Sequence, residues 1–229
     1  DLIADAVITS KLKVVAVDPG VFTATLSRKL IVPAKKKEKN KILAVVGSVN
    51  PNTKVQMEEL WLSQRTHNVF VQTKELLEDE GRREQEIARV TKEILDECDR
   101  NVVSTVTGDG IYPENRIDFA PYMERYQCSL DEVTGKINQA FAEITYRIFQ
   151  AEPTFKGLYT SGGDVTVSVC QRFETAGLSL MDEVLPLAAY GQFLKGKFEG
   201  VHIITKGGSQ GGRDAINRCI TYLKEKLYI

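Results

Sequence analysis

Short apolar runs alternate along the chain with longer segments whose apolar residues recur every three or four positions. The runs are three to six residues long and most are bounded by glycine, proline, asparagine or aspartate, so we interpret them as buried strands. The predicted strands are residues 14–17, 42–46, 69–71, 102–107, 157–159 and 201–205.

The segments between these runs have helical periodicity. Residues 165–173 could be a strand by composition, but Val165, Val169 and Phe173 recur at helical spacing, and Asp164 is a suitable N-cap. At Ser129 a capping box with Glu132 predicts a helix start. The other predicted helices are residues 1–12, 22–30, 52–65, 80–100 and 213–226.

Alternation of strands and helices predicts an α/β fold, with a mainly parallel sheet flanked by helices on both faces. Residues 182–195 depart from this pattern, because Pro186 and Gly191 interrupt an otherwise apolar stretch. We interpret that stretch as an antiparallel hairpin near the C-terminus.

Ligands bind to such sheets beyond the carboxyl ends of the strands. The predicted loops there are residues 18–20, 47–50, 108–110, 161–164 and 206–212, and most of them combine glycine with Asp, Ser or Lys. Together they indicate a phosphate or nucleotide cleft. The Gly-x-Gly at 108–110 lacks the third glycine of a dinucleotide fingerprint, so it is weak evidence for an oxidoreductase.

Two of these loops are rich in glycine and each precedes a predicted helix. At Gly162 and Gly163 the backbone can approach a ligand closely, and the free N–H groups of the helix start favour an anion; a tight turn without a ligand is the alternative. Residues 206–212 contain four glycines and a lysine. Their spacing is similar to a Walker A loop, but Arg213 and Asp214 stand where that motif requires Lys and then Ser or Thr.

Composition and charge limit the kinds of partner that we expect this chain to bind. Of the 229 residues 42% are hydrophobic, and the net charge of −1 gives no reason to expect nucleic acid or a membrane surface as a partner. No apolar run is long enough to cross a bilayer. The four cysteines are far apart and form no CxxC pair, so we expect reduced thiols in a cytoplasmic protein and no zinc site. The basic stretch 34–41 is interpreted as a linker rather than a nucleic-acid tag.

Several motifs in register resemble the C-terminal nucleotide-binding domain of the four-carbon acid sugar kinase family. Gly47-Ser48-Val49 followed by Thr53 and Gln56 resembles the first conserved loop of that domain. The remaining motifs are residues 160–166, 177–178, 183–186, Gly191 and 206–212 with Asp214-Ala215. The resemblance covers about residues 42–229. It implies that residues 1–33 are the end of a sugar-acid-binding domain and that residues 34–41 join it to the nucleotide-binding domain.

The resemblance implies an enzyme that transfers the γ-phosphate of ATP to the terminal hydroxyl of erythronate, threonate or a 3-oxo-tetronate. It implies ATP contacts at Ser48, Gly162, Gly163, Asp164 and Gly207 or Gly208, and we extend the predicted site to neighbouring residues of the same loops. These are Ser161, Val165, Thr166, Lys206 and Gly211. Lys206 would supply positive charge, or be merely solvated; Asp164 would hold Mg²⁺ through water, or merely cap its helix.

The Asp-Asp motif of the family's N-terminal domain is absent, and residues 18–21 are Asp-Pro-Gly-Val where many relatives have Gly-Ser-Ala-Gly. We therefore expect residues 1–229 alone to be inactive and identify no catalytic base. The chain begins with Asp rather than Met, so we expect that its start was removed or that it is part of a longer chain. A homodimer is possible. The alternatives are a non-catalytic nucleotide- or phosphosugar-binding module and, less in keeping with the motifs, a Rossmann-type oxidoreductase.

Overall fold

The computed structural model describes residues 2–17, 20–30 and 39–228, which divide into two compact units, Asp1–Lys36 and Lys37–Ile229. The first unit contains helices α1 (Leu2–Ser10) and α2 (Val21–Leu30). The predicted strand at 14–17 is wrong, because the structure records no strand there. A strand needs the backbone of a neighbour to pair with, and the described part of this unit offers none. Residues 18–19 of the predicted turn and 34–38 of the predicted linker lie outside the described residues.

The second unit is built on one seven-stranded sheet in the order β2-β3-β1-β4-β7-β6-β5. Strands β2, β3, β1, β4 and β7 run parallel, whereas β6 is antiparallel to both β7 and β5. The mainly parallel sheet and the C-terminal hairpin are therefore confirmed. The strands are β1 (Lys41–Val46), β2 (His67–Val71), β3 (Val103–Gly108), β4 (Phe155–Ser161), β5 (Gly177–Leu185), β6 (Ala188–Leu194) and β7 (His202–Lys206).

Helices cover both faces, as predicted. The capping box at Ser129 is present, and residues 163–172 are helical despite their strand-like composition. One face carries α5, α7 and α8, and the other carries α3 and α9. The helices are α3 (Pro51–Ser63), α4 (Glu75–Glu78), α5 (Glu80–Glu97), α6 (Ala120–Tyr126), α7 (Leu130–Ala151), α8 (Gly163–Arg172) and α9 (Ala215–Lys226), with 3-10 turns at Asp109–Ile111 and Pro113–Asn115.

Strand β1 lies between β3 and β4, and all six of its residues are buried because helices cover both sides of it. From β1 the chain goes outward to β2 and returns to β3, then crosses to β4 on the other side of β1. Helix α3 leaves β1 on one face, and α8 leaves β4 on the opposite face. A crevice at the carboxyl ends of β1 and β4 follows from this reversal of strand order, and ligands bind to α/β sheets at such a point.

Candidate functional site

Helix α8 begins directly after β4 with Gly162 as its N-cap, at φ 116° and ψ 128°. Side chains other than glycine rarely adopt this conformation. The prediction that Asp164 caps the helix is wrong, because the chain enters the helix earlier and Asp164 is its second residue. The first-turn N–H groups of Gly163, Asp164 and Val165 precede the first intrahelical bond and are free to meet an anion.

Three loops converge at Ser48, which follows β1. A Cβ atom on Gly208 would lie 2.5 Å from Ser48 Oγ, so only glycine fits at this close approach. On the other side, the backbone nitrogen of Ser48 lies 3.8 Å from the Cβ position of Gly162. The loops after β1, β4 and β7 therefore meet at the carboxyl edge of the sheet, as the predicted cleft requires.

The 207–212 loop, between β7 and α9, is held by helix α3. Side chains of Asn52, Thr53 and Gln56 donate hydrogen bonds of 2.5 to 3.0 Å to the carbonyl oxygens of residues 208–212. Gln56 is fully buried, and its amide nitrogen alone reaches three of these carbonyls. Each carbonyl oxygen from residue 208 to residue 212 thus accepts a hydrogen bond from helix α3, which lies about 150 residues earlier in the sequence.

Within one peptide plane the N–H points away from the C=O. Because the loop carbonyls are turned inward, its N–H groups are turned outward. Across the described residues no acceptor is recorded for the N–H groups of Gly208, Ser209, Gly211 and Gly212. Successive outward N–H groups of this kind form a concave anion site.

Lys206 is the last residue of β7, and only 1% of it is exposed. Its ammonium group donates to the carbonyl oxygens of Gly207 at 2.8 Å and Gln210 at 2.9 Å. Burial lowers the pKa of Lys206 to about 8. The interpretation of Lys206 as a solvated side chain is therefore wrong. Its buried ammonium group stabilises the 207–212 loop through the two carbonyl oxygens.

Other residues of the predicted site lie near the cleft but turn their side chains into the core. Ser161, Val165 and Thr166 are buried, and Thr166 Oγ1 lies within hydrogen-bond distance of Thr160 Oγ1, at 2.8 Å, and of the Gly162 carbonyl oxygen, at 2.9 Å. Only the backbone of these residues can face a ligand. Gly211, at φ 84°, shapes the loop.

Asp164 is exposed, and no hydrogen bond or ion pair is recorded for its carboxylate within the described residues. It lines a cavity of about 300 Å³ beside the three converging loops. Sequence analysis missed most of this cavity, although Thr134 and Asn138, which interrupt the apolar stripe of α7, were a usable signal. The lining residues are Gly47, Val49, Thr73, Gly108, Gly110, Asn115, Arg116, Ile117, Phe119, Thr134, Ile137, Asn138, Phe141 and Asp164.

At the opposite end of the sheet, Cys98, Asp99 and Glu152 are, within ranges 2–17, 20–30 and 39–228, the one group of three residues close enough to share a metal ion. The Lys41 ammonium group lies 2.8 Å from Asp99 and 3.3 Å from Glu152, so a cation already occupies this position. All four cysteines are free thiols, in line with the prediction. No helix of the described chain is long and apolar enough to cross a bilayer.

Residues 43–216 match the family of nucleotide-binding C-terminal domains. The chain is 39% identical to D-erythronate kinase of Heliobacterium modesticaldum, across 99% of this chain and 52% of that protein. It is 23% identical to D-threonate kinase of Salmonella typhimurium, across 80% of this chain and 43% of that protein. The chain therefore spans about half the length of the curated relatives it matches.

Solved structures share the fold. A Bordetella bronchiseptica protein of unknown function, a domain-swapped dimer with bound citrate, aligns with a TM-score of 0.65 at 20% identity over 81% of this chain and 41% of its own. A Haemophilus influenzae protein aligns with a TM-score of 0.58 at 18% identity over 96% of this chain and 50% of its own. Because residues 43–216 match the family of nucleotide-binding C-terminal domains and the chain is similar to both curated kinases, this chain belongs to the four-carbon acid sugar kinase family.

Proposed function

We propose that this chain is the ATP-binding part of a kinase that phosphorylates the terminal hydroxyl of a four-carbon sugar acid, with erythronate, threonate and 3-oxo-tetronate as candidate substrates. The names of the two curated relatives support this substrate class. One observation carries the proposal: the outward N–H groups of the 207–212 loop meet Ser48 and the start of α8 at one point.

Phosphoryl transfer depends mainly on positioning and charge stabilisation, and this site supplies both through its backbone. The loop N–H groups and the first turn of α8 are set to hold phosphate oxygens from two sides. Ser48 Oγ lies 2.9 Å from Thr53 Oγ1 and accepts from the Asn50 N–H at 3.3 Å, which fixes the hydroxyl between the two anion sites.

The donor set also fits Mg²⁺. Proteins hold Mg²⁺ through one or two carboxylates together with the substrate phosphates. Asp164 is an exposed carboxylate one residue beyond the first free N–H of α8. We propose that it holds Mg²⁺, directly or through water; the ion, when bound, neutralises phosphate charge. Phosphate contacts through backbone N–H groups do not depend on it.

The alternatives receive less support. In the Gly-x-Gly at 108–110 the carboxylate of Asp109 accepts from the Thr73 N–H and hydroxyl, and a 3-10 turn follows where a dinucleotide fold places a long helix. A nucleotide- or phosphosugar-binding module without catalysis remains the second candidate, because the chain spans only half of its relatives.

The proposed organisation assigns residues 1–33 to the end of a sugar-acid-binding domain, 34–41 to a linker and 42–229 to the nucleotide-binding domain. We further propose a cytoplasmic location, where free thiols persist. A homodimer is proposed by analogy with the dimeric structural neighbour.

Calorimetry with ATP, ADP and NADH, each with and without Mg²⁺, tests the ligand. We expect ATP and ADP to bind and NADH not to bind. Asp164→Asn should bind ATP more weakly only when Mg²⁺ is present, and its melting temperature should stay near wild type, because Asp164 makes no cap bond. Binding of NADH without ATP would overturn the proposal, and unchanged affinity of the variant in Mg²⁺ would remove Asp164 from the metal site.

A further inference from the structure

The cavity beside Asp164 borders the proposed phosphate site. Gly47 lines the cavity and is followed directly by Ser48, where the glycine loops converge. Asp164 lines it from the other side and lies two residues after Gly162, the N-cap of α8. The cavity therefore begins within one or two residues of the loops at which we propose the phosphates bind.

The walls of the cavity are largely apolar and partly aromatic. The apolar side chains of the walls are those of Val49, Ile117, Phe119, Ile137 and Phe141. Flat aromatic ligands gain from such walls both by burial and by ring contacts. A volume of about 300 Å³ is at the small end for ligand pockets and suits one fragment of a nucleotide rather than all of it.

Two amide side chains line the cavity, that of Asn138 half-buried and that of Asn115 exposed. No partner is recorded within the described residues for the amide groups of Asn115 and Asn138. A primary amide offers both a donor and an acceptor, the pair that the edge of a purine base matches. Thr134 Oγ1, by contrast, bonds to carbonyls of its own helix.

The cavity offers few groups that could bind a small anionic acid. Arg116 is the one cation among the lining residues, and its guanidinium donates to the carbonyl oxygens of Val49 at 2.6 Å and Gly110 at 3.2 Å. The one acidic side chain in the lining, Asp164, would repel a carboxylate. The cavity thus favours a neutral, flat group.

We propose that this cavity takes the purine nucleoside half of the bound nucleotide, with Asn138 and Asn115 hydrogen-bonding the base edge and determining base specificity. The inference rests on the proposed nucleotide binding at the glycine loops. It adds where the base lies and which residues select it.

The test compares ATP with inorganic tripolyphosphate, which has the phosphates but no nucleoside, by calorimetry on the 229-residue chain. Asn138→Leu keeps the size of the side chain and removes its hydrogen bonds, and we expect about a tenfold loss of ATP affinity. Thr134→Trp fills the cavity and should weaken ATP by more than tenfold. Neither variant should change the affinity for tripolyphosphate. Gln139→Leu, on the exposed side of the same helix, is the matched control and should leave both affinities unchanged.

Each outcome decides the question. Loss of ATP affinity with tripolyphosphate binding intact supports the proposal. Wild-type ATP affinity in both variants, or an equal loss for ATP and tripolyphosphate, would overturn it while leaving nucleotide binding at the loops in place. If the wild-type chain binds neither ligand, the proposed function and this inference fail together. Thermal melts of each variant confirm that it is folded at the assay temperature.

Discussion

Gly162 and Gly163 are neighbours with different roles in the structure. Gly162 has φ 116°, whereas a Cβ atom on Gly163 would meet nothing within 4 Å. The sequence indicated a helix start here but could not place the cap, because both glycine and aspartate are common N-caps. The position was decided by the turn out of β4, where the Gly162 N–H donates to the Lys206 carbonyl at 3.1 Å.

Alanine substitutions at Gly162 and Gly163 distinguish the effect of backbone strain from the effect of losing a ligand contact. Gly162→Ala should lower the free energy of unfolding by about 1 to 3 kcal/mol, because alanine rarely adopts that backbone conformation. Gly163→Ala should leave stability nearly unchanged and weaken ATP binding, because its methyl group enters the space proposed for a phosphate. Chemical denaturation and calorimetry on both variants measure this. Unchanged ATP affinity in Gly163→Ala would place the phosphate elsewhere.

The lowered pKa of Lys206 predicts that the free energy of unfolding depends on pH. Its pKa falls from 10.5 in the unfolded chain to about 8 in the fold, so between these values the unfolded state binds more protons. Stability from this group should therefore rise with pH across that range, by up to about 3 kcal/mol. Lys206→Met removes the titration, so the difference in unfolding free energy between wild type and variant should change between pH 8 and 10.5. A constant difference would contradict the prediction.

Among the elements, the parallel strands and the long helices of the second unit were predictable because their periodicities are strong and the sheet buries them, whereas the short helices α4 and α6 and the start of β5 were not predicted. The segment 14–17 has the same apolar composition as a buried strand but is not one, and Val17 is 92% exposed. Composition indicates what can be buried, but pairing requires a neighbour.

Attachment of the 207–212 loop to helix α3 was not predictable from local pattern. It depends on Gln56 reaching carbonyls about 150 residues later. The resemblance identified Thr53 and Gln56 as motif positions, but their role became visible only in the fold: they orient peptide planes and do not reach the ligand space.

Gln56→Glu tests this role of α3. A carboxylate would face three carbonyl oxygens in place of an amide donor, and we expect a loss of about 2 to 3 kcal/mol in stability or in ATP binding. Amide hydrogen exchange at residues 207–212 should become faster. Gln64→Glu is the matched control, because Gln64 lies at the end of the same helix and bonds to Asn217 and Lys224 of α9. Equal effects of the two substitutions would argue against a specific support of the loop.

At the scale of the whole molecule, the proposed nucleotide site lies in the second unit. Every element of the proposed phosphate and nucleoside regions comes from residues 47 to 212, within the second unit. No described residue of that unit has been assigned as the base for a sugar hydroxyl. The curated relatives are about twice as long, which leaves room for a second set of contacts.

Nucleotide binding and phosphoryl transfer should therefore separate in this chain. Residues 1–229 should bind ATP but give no measurable phosphorylation of D-erythronate or D-threonate, because phosphoryl transfer requires a positioned acceptor hydroxyl and no residue of this chain is assigned to that task. Joining the chain to the N-terminal half of the Heliobacterium relative should restore turnover if the two halves are compatible, and Gly208→Val in that fusion should abolish it, because its Cβ would clash with Ser48. A coupled assay for ADP release measures both. Full turnover by residues 1–229 alone would show that the acceptor site lies within this chain, and the search for the base would then begin at the side chains around the cavity.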